Sequence, residues 1–295
     1  MLKKLTLYRL NKDASLPSTE SIERHLQENA SFKPCNSTDL SQSGFINVGP
    51  SSLLCYSVEN GRYQILEYQT EKKIIPSDKI KRKTQSRIVK AQLKLERKLS
   101  KDEKDQIKLA VTKELAKQAF SRITSCKVVF FNDLKLEDCR IIGIEATKKQ
   151  AEDIISILRK AFGSLPVTPF TTDTPTAQQL QKILTTEESN TFTFGGNCTL
   201  ENLSDSSEIR FKNRSQEEIV EHLSGHTIKS MSLTNEDINF EINEISPLAL
   251  SKIKYTIEMS KPDKNVENGE QTAFDSNCYL AVTTVAETIR TFMQN

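Results

Sequence analysis

Between Lys79 and Arg122 the chain carries fifteen lysines and arginines against five acidic residues, in KIKRKTQSRIVKAQLKLERKLS and the residues running up to AFSR. That local surplus of +10 sits in a protein whose net charge is +2, so the remaining residues together carry −8 and the charge is segregated. Screening limits each group's reach to roughly 8 Å at physiological salt, so the stretch attracts a polyanion almost regardless of the acidic remainder. The chemistry on offer is the holding of phosphates. Lys81, Arg82, Lys83, Arg87, Lys90 and Lys94 form its densest part. Phe120 with Arg122 adds an aromatic ring that can stack on or wedge between bases, beside a cation for the neighbouring phosphate. A phenylalanine at a helix end is more often core. A charge run is as often a solvated or self-associating helical arm.

A second cationic set is Ile209-Arg210-Phe211-Lys212-Asn213-Arg214-Ser215. In a strand, residues two apart share a face, which predicts Arg210, Lys212 and Arg214 projecting together, with Ile209 and Phe211 opposite. Ser215 and Glu218 form a capping box, so these cations would sit beside a helix start whose free N–H groups favour phosphate. Asn213 and Lys229 complete the candidate DNA-binding residues. The alternative role for such a strand is an edge guarded by charge against aggregation.

Catalytic signals are poor. The chain has no G-x-x-x-x-G-K-[ST] loop, no G-x-G-x-x-G fingerprint and no G-x-S-x-G elbow. His222 and His226 have the i, i+4 spacing of zinc ligands on a helix, but Gly225 lies between them and no third ligand is evident, so neither a metal nor a cofactor is expected. A two-metal nuclease would need converging carboxylates; Asp133, Glu137 and Asp138 are near one another in sequence but fall in a predicted turn, where acidic residues are common.

These groups need elements to carry them. Leu5 to Leu10 reads as a strand, Ser18 to Asn29 as a helix burying Ile22 and Leu26, and Phe32 to Pro50 as loop. Glu59-Asn60-Gly61 between Leu53–Val58 and Tyr63–Tyr68 predicts an antiparallel hairpin. In the basic stretch Ile80, Ile88, Ala91, Leu95 and Leu99 give a long amphipathic helix; Ser100 and Glu103 form a capping box that opens a second helix with Ile107, Val111 and Leu115 as its stripe. Lys127 to Phe131 and Arg140 to Glu145 are strands joined by a turn at Asn132 and Asp133. Thr147 with Gln150 opens a helix burying Ala151, Ile154, Ile155, Leu158 and Phe162, stopped by Gly163. Beyond a proline-rich boundary at Leu165 to Thr176, short strands are expected at Thr191–Cys198, Glu208–Lys212, Thr227–Leu233, Ile238–Ile245, Ile253–Glu258 and Cys278–Val282, then a final helix capped by Thr284 and Glu287. The fold class is α+β: mixed or antiparallel sheets with packed helices, an inserted basic helical hairpin and a second α+β domain. The divisions are 1–75 plus 120–168 as a central domain, 76–119 as the helical tip and 169–295 as the base.

With 36% hydrophobic and 27% charged residues the chain has the balance of a soluble protein with a real core. No leader pattern or bilayer-spanning run is present, so a soluble, unexported protein is expected, with no membrane partner. Cys35, Cys55, Cys126, Cys139, Cys198 and Cys278 are scattered without a CxxC pair and read as reduced core thiols of a cytosolic protein.

Several blocks carry a resemblance. Tyr8-Arg9-Leu10, Phe32-x-Pro34-Cys35, Glu71-Lys72-Lys73-Ile74 with Pro76, Glu103-Lys104-Asp105, Ala119-Phe120-Ser121-Arg122, Lys149 with Ala151-Glu152-Asp153, Leu158-Arg159-Lys160, Gly163-Ser164-Leu165-Pro166-Val167 and Phe274-Asp275 occur in order along the whole chain. The sequence resembles the bacterial recombination-associated RdgC family. The resemblance implies a homodimer closed into a ring with a positive central hole that encircles double-stranded DNA without sequence preference, holds single-stranded DNA more weakly, associates with the cytoplasmic nucleoid and antagonises RecA-driven strand exchange. It places a gate-like aromatic at Phe120, a basic finger at Arg210 to Arg214, and the hairpin from about Pro76 to Ala119 as the tip meeting its twin. Two positions depart from the family pattern: Lys212-Asn213-Arg214 stands where consecutive basic residues followed by Gln are usual, and His226 where Lys is. The family has also carried an exonuclease label, and a magnesium-dependent exonuclease acting on DNA ends is the alternative to non-enzymatic binding.

Overall fold

Strand β1 (Leu5–Leu10) is buried along nearly its whole length, as a strand with neighbours on both sides must be. The computed structural model describes residues 1–11, 14, 16–136, 139–172, 176–186, 191–243, 247–263 and 268–294. Along them follow α1 (Thr19–Asn29), β2 (Ser41–Ile46), β3 (Cys55–Val58), β4 (Tyr63–Lys73), α2 (Ser77–Leu95), α3 (Lys101–Ala116), β5 (Ser121–Leu136), β6 (Cys139–Ile144), α4 (Lys148–Phe162), β7 (Val167–Pro169), α5 (Thr176–Thr185), β8 (Thr193–Asn202), β9 (Glu208–Phe211), α6 (Gln216–Val220), β10 (His226–Thr234), β11 (Ile238–Asn243), β12 (Ala249–Tyr255) and α7 (Gly269–Gln294). The protein is α+β, with a large antiparallel sheet and seven helices among the described residues.

Two compact units can be distinguished. The first comprises Met1–Ala30, Asn47–Glu67 and Cys126–Asn295. Its strands run β4-β5-β6-β1-β12-β11-β10-β8-β9, with β3 on β4 and β7 on β1. Thr6 pairs with Ile144 of β6 and Ala249 of β12, whereas Tyr8 pairs with Ile142 of β6 and Pro169 of β7. The edge of β1 opposite β6 is therefore shared in succession by β12 and β7. One continuous core joins Leu5, Leu7, Val129 and Phe131 to Met231, Leu233 and Phe240, and receives Leu180, Ile183 and Leu184 of α5 with Val282, Val285 and Ile289 of α7.

Much of this follows from local chemistry. Ser18 caps α1 by accepting from the Ser21 N–H, and Ile22 and Leu26 are buried. Glu59, Asn60 and Gly61 all take positive φ in the loop joining β3 to β4, whose register begins with Val58 opposite Tyr63. Gly163 ends α4 in the left-handed conformation.

Other expectations are corrected. Thr147 stands at the N-cap of α4 but its side chain makes no cap hydrogen bond. Asn132 and Asp133 are not in a turn: β5 continues through them to Leu136, because the Asn132 N–H donates to the Arg62 carbonyl (2.9 Å) and its side chain to the Gly61 carbonyl (2.7 Å). The helix α5 was not expected. Cys278–Val282 is not a strand, nor does a helix start at Thr284, since both lie inside α7.

The second unit comprises Ser31–Ile46 and Tyr68–Ser125. It contains β2, in a segment expected to be loop. SQSG lacks strand formers, but tertiary contacts hold it: the Phe32 N–H donates to the Phe45 carbonyl (2.8 Å), the Lys73 N–H to Leu40 (2.9 Å) and Ser41 Oγ to Glu71 (3.0 Å). A side chain on Gly44 would meet the Phe32 backbone at 2.6 Å, so the crossing requires glycine.

The rest of the second unit is the α2–α3 hairpin. Its core is thin, with Thr84, Val111, Leu115 and Ala116 buried and Leu99 tucked beneath the connection; Leu95, expected in the stripe, is exposed. The connection is fixed by charge and capping. Ser100 Oγ accepts from the Glu103 N–H (3.3 Å), while Glu103 accepts from the Ser100 N–H (2.8 Å) and from both terminal nitrogens of Arg97 (2.6 and 3.0 Å). The Arg97 guanidinium, with the Ser100 N–H behind it, holds the Glu103 carboxyl down at about 2. A depressed carboxyl contributes stability above its unfolded value and loses it as pH falls through the folded one. Protection of the first turn of α3 against amide exchange should therefore fall as pH drops from about 4.5 toward 2. Ser100→Ala should lower the opening free energy of that turn by about 1 kcal/mol at neutral pH, leaving amides of β1 and β6 unchanged. Equal protection in the two proteins would mean that the cap does not hold the connection.

Candidate nucleic-acid interface

At 3.6 residues per turn, Lys79, Arg82, Lys90 and Lys94 fall within one sector of roughly 120° on the outer side of α2. All four are exposed, and none has an ion-pair partner among the described residues. The inner side carries Ile80, Thr84, Ile88 and Ala91 toward α3. Lys83, which falls within the same sector, and Arg87, just beyond it, differ from those four because both bind Glu114 of α3: Lys83 Nζ lies 2.7 Å from Oε1, and Arg87 Nη2 bonds Oε2. That double contact holds the Glu114 carboxyl below its usual range. Lys81, in the first turn, is exposed but projects outside the sector. The sequence grouped these lysines and arginines together; the fold divides them into a free row and a pair that fastens the hairpin.

Phe120 is 87% exposed and so is not the core residue its type suggests. Its carbonyl accepts from the Ile74 N–H at 2.8 Å, which fixes the backbone from which the ring projects. Arg122, at the start of β5, is exposed too.

In the first unit, the open face of β9-β8-β10-β11-β12 bears a groove of about 570 Å³ lined by Arg210, Lys212, Lys229 and Lys252, by Glu208 and Glu241, and by amides and hydroxyls. Register explains the assembly. Arg210 lies opposite Thr199, Thr199 opposite Ser230 and Ser230 opposite Asn243, making one polar row across four strands. With neighbouring strands about 4.8 Å apart, the row is roughly 14 Å long. Two of the four cations reach it from β-bulges, which re-aim side chains. The register of β10 against β8 slips between Ile228 and Ser230, leaving Lys229 as the extra residue. On β12, Asn239 of β11 pairs with Lys254 but Glu241 with Ser251, and Lys252 takes φ +53 within the slip.

Counter-charges accompany the cations. Lys229 Nζ lies 2.8 Å from Glu208 and 3.2 Å from Glu201, Arg210 donates to Glu208 from Nη2 (2.7 Å) and Nε (3.2 Å), and Lys252 bonds Glu241. Lys229 first and Arg210 second hold the Glu208 carboxyl down at about 2. Glu208 in turn raises the Lys229 ammonium, with Glu201 assisting. Lys212 has no ion-pair partner among the described residues.

The expected alignment of Arg210, Lys212 and Arg214 is corrected, because the strand ends at Phe211. Asn213 turns left-handed (φ +51), its N–H donating to Asn197 Oδ1 (3.3 Å), and Arg214 leaves the groove to meet Glu218 at 3.6 Å. Ser215 does cap α6, but that helix has only five residues, too short to add much field at its start. His222 lies against the Phe211 ring and His226 Nδ1 against the Ser224 carbonyl, so the two histidines have separate partners. Asp133 is bound by Arg62 (2.5 Å) and Arg290 (3.6 Å); Glu137 and Asp138 lie outside the described residues. Sequence reasoning missed Lys79, Lys252 and Asn197. For Lys252 a signal existed: buried Leu250 and Ile253 are three apart, which breaks the two-residue period of a strand.

Cys55, Cys126, Cys198 and Cys278 are free and buried, Cys35 is free and half-buried, and the Cys139 side chain lies outside the description. Among the described residues, no helix is long and apolar enough to cross a membrane.

Residues 1–295 match the family described as "Putative exonuclease, RdgC". The recombination-associated protein RdgC of Yersinia enterocolitica is 31% identical over 301 aligned residues, covering 99% of this chain and 96% of that protein. That of Shewanella loihica is 31% identical over 279, covering 92% and 89%. That of an Enterobacter species reaches 38% over 176, covering 59% and 55%. With its whole length matched, the chain belongs to the RdgC family of recombination-associated proteins.

Proposed function

We propose that this protein binds double-stranded DNA through its phosphates without reading sequence, as a homodimer closed into a ring around the duplex, and that it modulates recombination by limiting access of RecA to DNA. The observation that carries this reading is the free row of Lys79, Arg82, Lys90 and Lys94, exposed on one side of α2 while neighbouring Lys83 and Arg87 are engaged with Glu114. Cations kept unpaired on one helix face suit a phosphate backbone, which every base sequence presents alike. Phe120 and Arg122 are accessible for a base step or a partner copy, and Arg210, Lys212, Asn213, Lys229 and the more distant Arg214 supply a second contact. Single-stranded DNA, with lower charge density, is held more weakly, and the working location is the cytoplasmic nucleoid. The tip at 76–119 would meet its twin, with 1–75 plus 120–168 and 169–295 forming the centre and base of each half-ring.

The protein acts in this reading without catalysis. Asp133, the described member of the candidate carboxylate set, turns its Oδ2 to two arginines, which compete with any metal for that oxygen, while its Oδ1 is buried without a hydrogen-bond partner among the described residues. The test is a salt titration of duplex binding with and without magnesium. Log affinity should fall linearly with log salt, by about 0.9 per phosphate neutralised, with no dependence on base composition and no shortening of DNA ends. A nearly flat salt response with a base-pair preference would overturn the phosphate reading. Magnesium-dependent loss of ends, abolished by Asp133→Asn, would replace it with the exonuclease.

A further inference from the structure

The groove across β8–β12 contains more positive charge than it presents. Of its four cations, Arg210 and Lys229 share Glu208, and Lys252 bonds Glu241. These contacts imitate what a phosphate would make. Arg210 grips one oxygen of Glu208 with two nitrogens at 2.7 and 3.2 Å while Lys229 takes the other at 2.8 Å, leaving the carboxylate between a guanidinium and an ammonium as a phosphodiester would lie. Both paired lysines arrive by bulges, one of them in a left-handed conformation uncommon for any residue but glycine. Two irregularities of backbone thus deliver two lysines to one face, and each is met there by a glutamate of a neighbouring strand. The polar row Arg210–Thr199–Ser230–Asn243 between them is roughly 14 Å long, about the rise of four nucleotides along one strand at 3.4 Å each.

We infer that the groove is a phosphodiester track moderated from within, and that Glu208 and Glu241 are internal counter-anions occupying the places backbone phosphates must take. This rests on the DNA-binding reading above and adds its regulation. A duplex entering the track exchanges a carboxylate for a phosphate at Arg210 and Lys229, and another at Lys252. Such an exchange releases fewer small counterions than binding at a bare lysine, because the lysine was already neutralised. The protein therefore holds DNA less tightly, and with a shallower salt dependence, than its cation count predicts. A protein that must move along the duplex or leave it gains mobility from that restraint.

The experiment compares Glu208→Gln, Glu241→Gln and, as a control for general charge, Glu28→Gln on the exposed surface of α1, by anisotropy of a labelled short duplex across salt concentrations. Each of the first two should tighten binding roughly threefold to tenfold near physiological salt and steepen the salt slope by about 0.9 for each phosphate newly neutralised. Glu28→Gln should do neither. Lys252→Gly retains the left-handed bulge without the cation; combined with Glu241→Gln it should erase the gain that Glu241→Gln alone produces, the non-additivity expected of direct partners. If the parent binds duplex but Glu208→Gln and Glu241→Gln match it in affinity and slope, or Glu28→Gln gains as much as they do, the inference is overturned while the DNA-binding reading stands. If the parent retains no duplex even at about 50 mM salt, where phosphate binding is strongest, both fall.

Discussion

Replacing Arg82, Lys90 and Lys94 together by glutamate should weaken duplex binding by roughly 10²–10³-fold at physiological salt and make the salt slope shallower by about 2.7, which is three lost phosphates at about 0.9 each. The size follows from their condition in the free protein. None of the three has an ion pair to break among the described residues, so nearly all of their charge is available to DNA, and each reversal substitutes repulsion for attraction. The contrast is Lys83→Gln with Arg87→Gln, which removes two cations from the same helix. Those two already neutralise Glu114, so their loss should weaken binding far less per charge, and its main effect should be easier opening of the α2–α3 hairpin in amide exchange. A self-associating arm with no role in DNA binding would give the opposite ranking: the triple reversal would change the concentration dependence of assembly and leave duplex binding as it was. Sedimentation of each variant without DNA, beside anisotropy with it, separates these outcomes.

That ranking shows where sequence was sufficient and where it was not. The helices carrying the cations were legible because their signals are local: Ser100 and Glu103 announce the start of α3, and helical spacing of Ile80, Ile88 and Ala91 sets the inner side of α2. The division of labour among the cations was not, because it depends on Glu114, distant in sequence and brought to Lys83 and Arg87 only when the hairpin closes. The same holds for β2, whose SQSG is held by Phe32, Leu40 and Glu71 rather than by its own propensity. The groove was half legible. Arg210 and Lys212 were chosen by alternation, but alternation also joined Arg214 to them, and the left-handed turn at Asn213 prevents that. Lys229 and Lys252 stand where buried residues fall three apart, Ile228 to Met231 and Leu250 to Ile253, so the bulges leave a trace in the pattern even though their convergence does not.

The C-terminal segment offers the sharpest contrast between the two levels. Thr284 with Glu287 satisfies the capping-box pattern, and CYLAV before it satisfies the composition of a strand, so local rules favour a helix beginning at about residue 285. The structure instead continues one helix from Gly269 to Gln294, because Cys278, Ala281, Val282, Val285, Ala286, Ile289 and Phe292 form a single stripe against the sheet that no strand-and-restart could bury together. The threonines within it satisfy their hydroxyls by bonding back four residues, Thr283 to the Tyr279 carbonyl (2.8 Å) and Thr288 to that of Thr284 (2.7 Å). Thr284→Pro separates the two descriptions. At the edge of a helix beginning there, proline would be tolerated. In the interior of α7 it removes an N–H and drives its ring into the preceding turn, destabilising the first unit by about 3 kcal/mol or more. Against a total stability of roughly 5–15 kcal/mol, that is a large fraction, readily seen in the urea midpoint. Thr284→Ala, which keeps the helix and removes only a half-buried hydroxyl and methyl group, should move the midpoint far less. A proline variant as stable as the alanine variant would mean that the helix breaks at Thr284, and that Ala273, Cys278 and Val282 reach the core by some path other than the turns of α7.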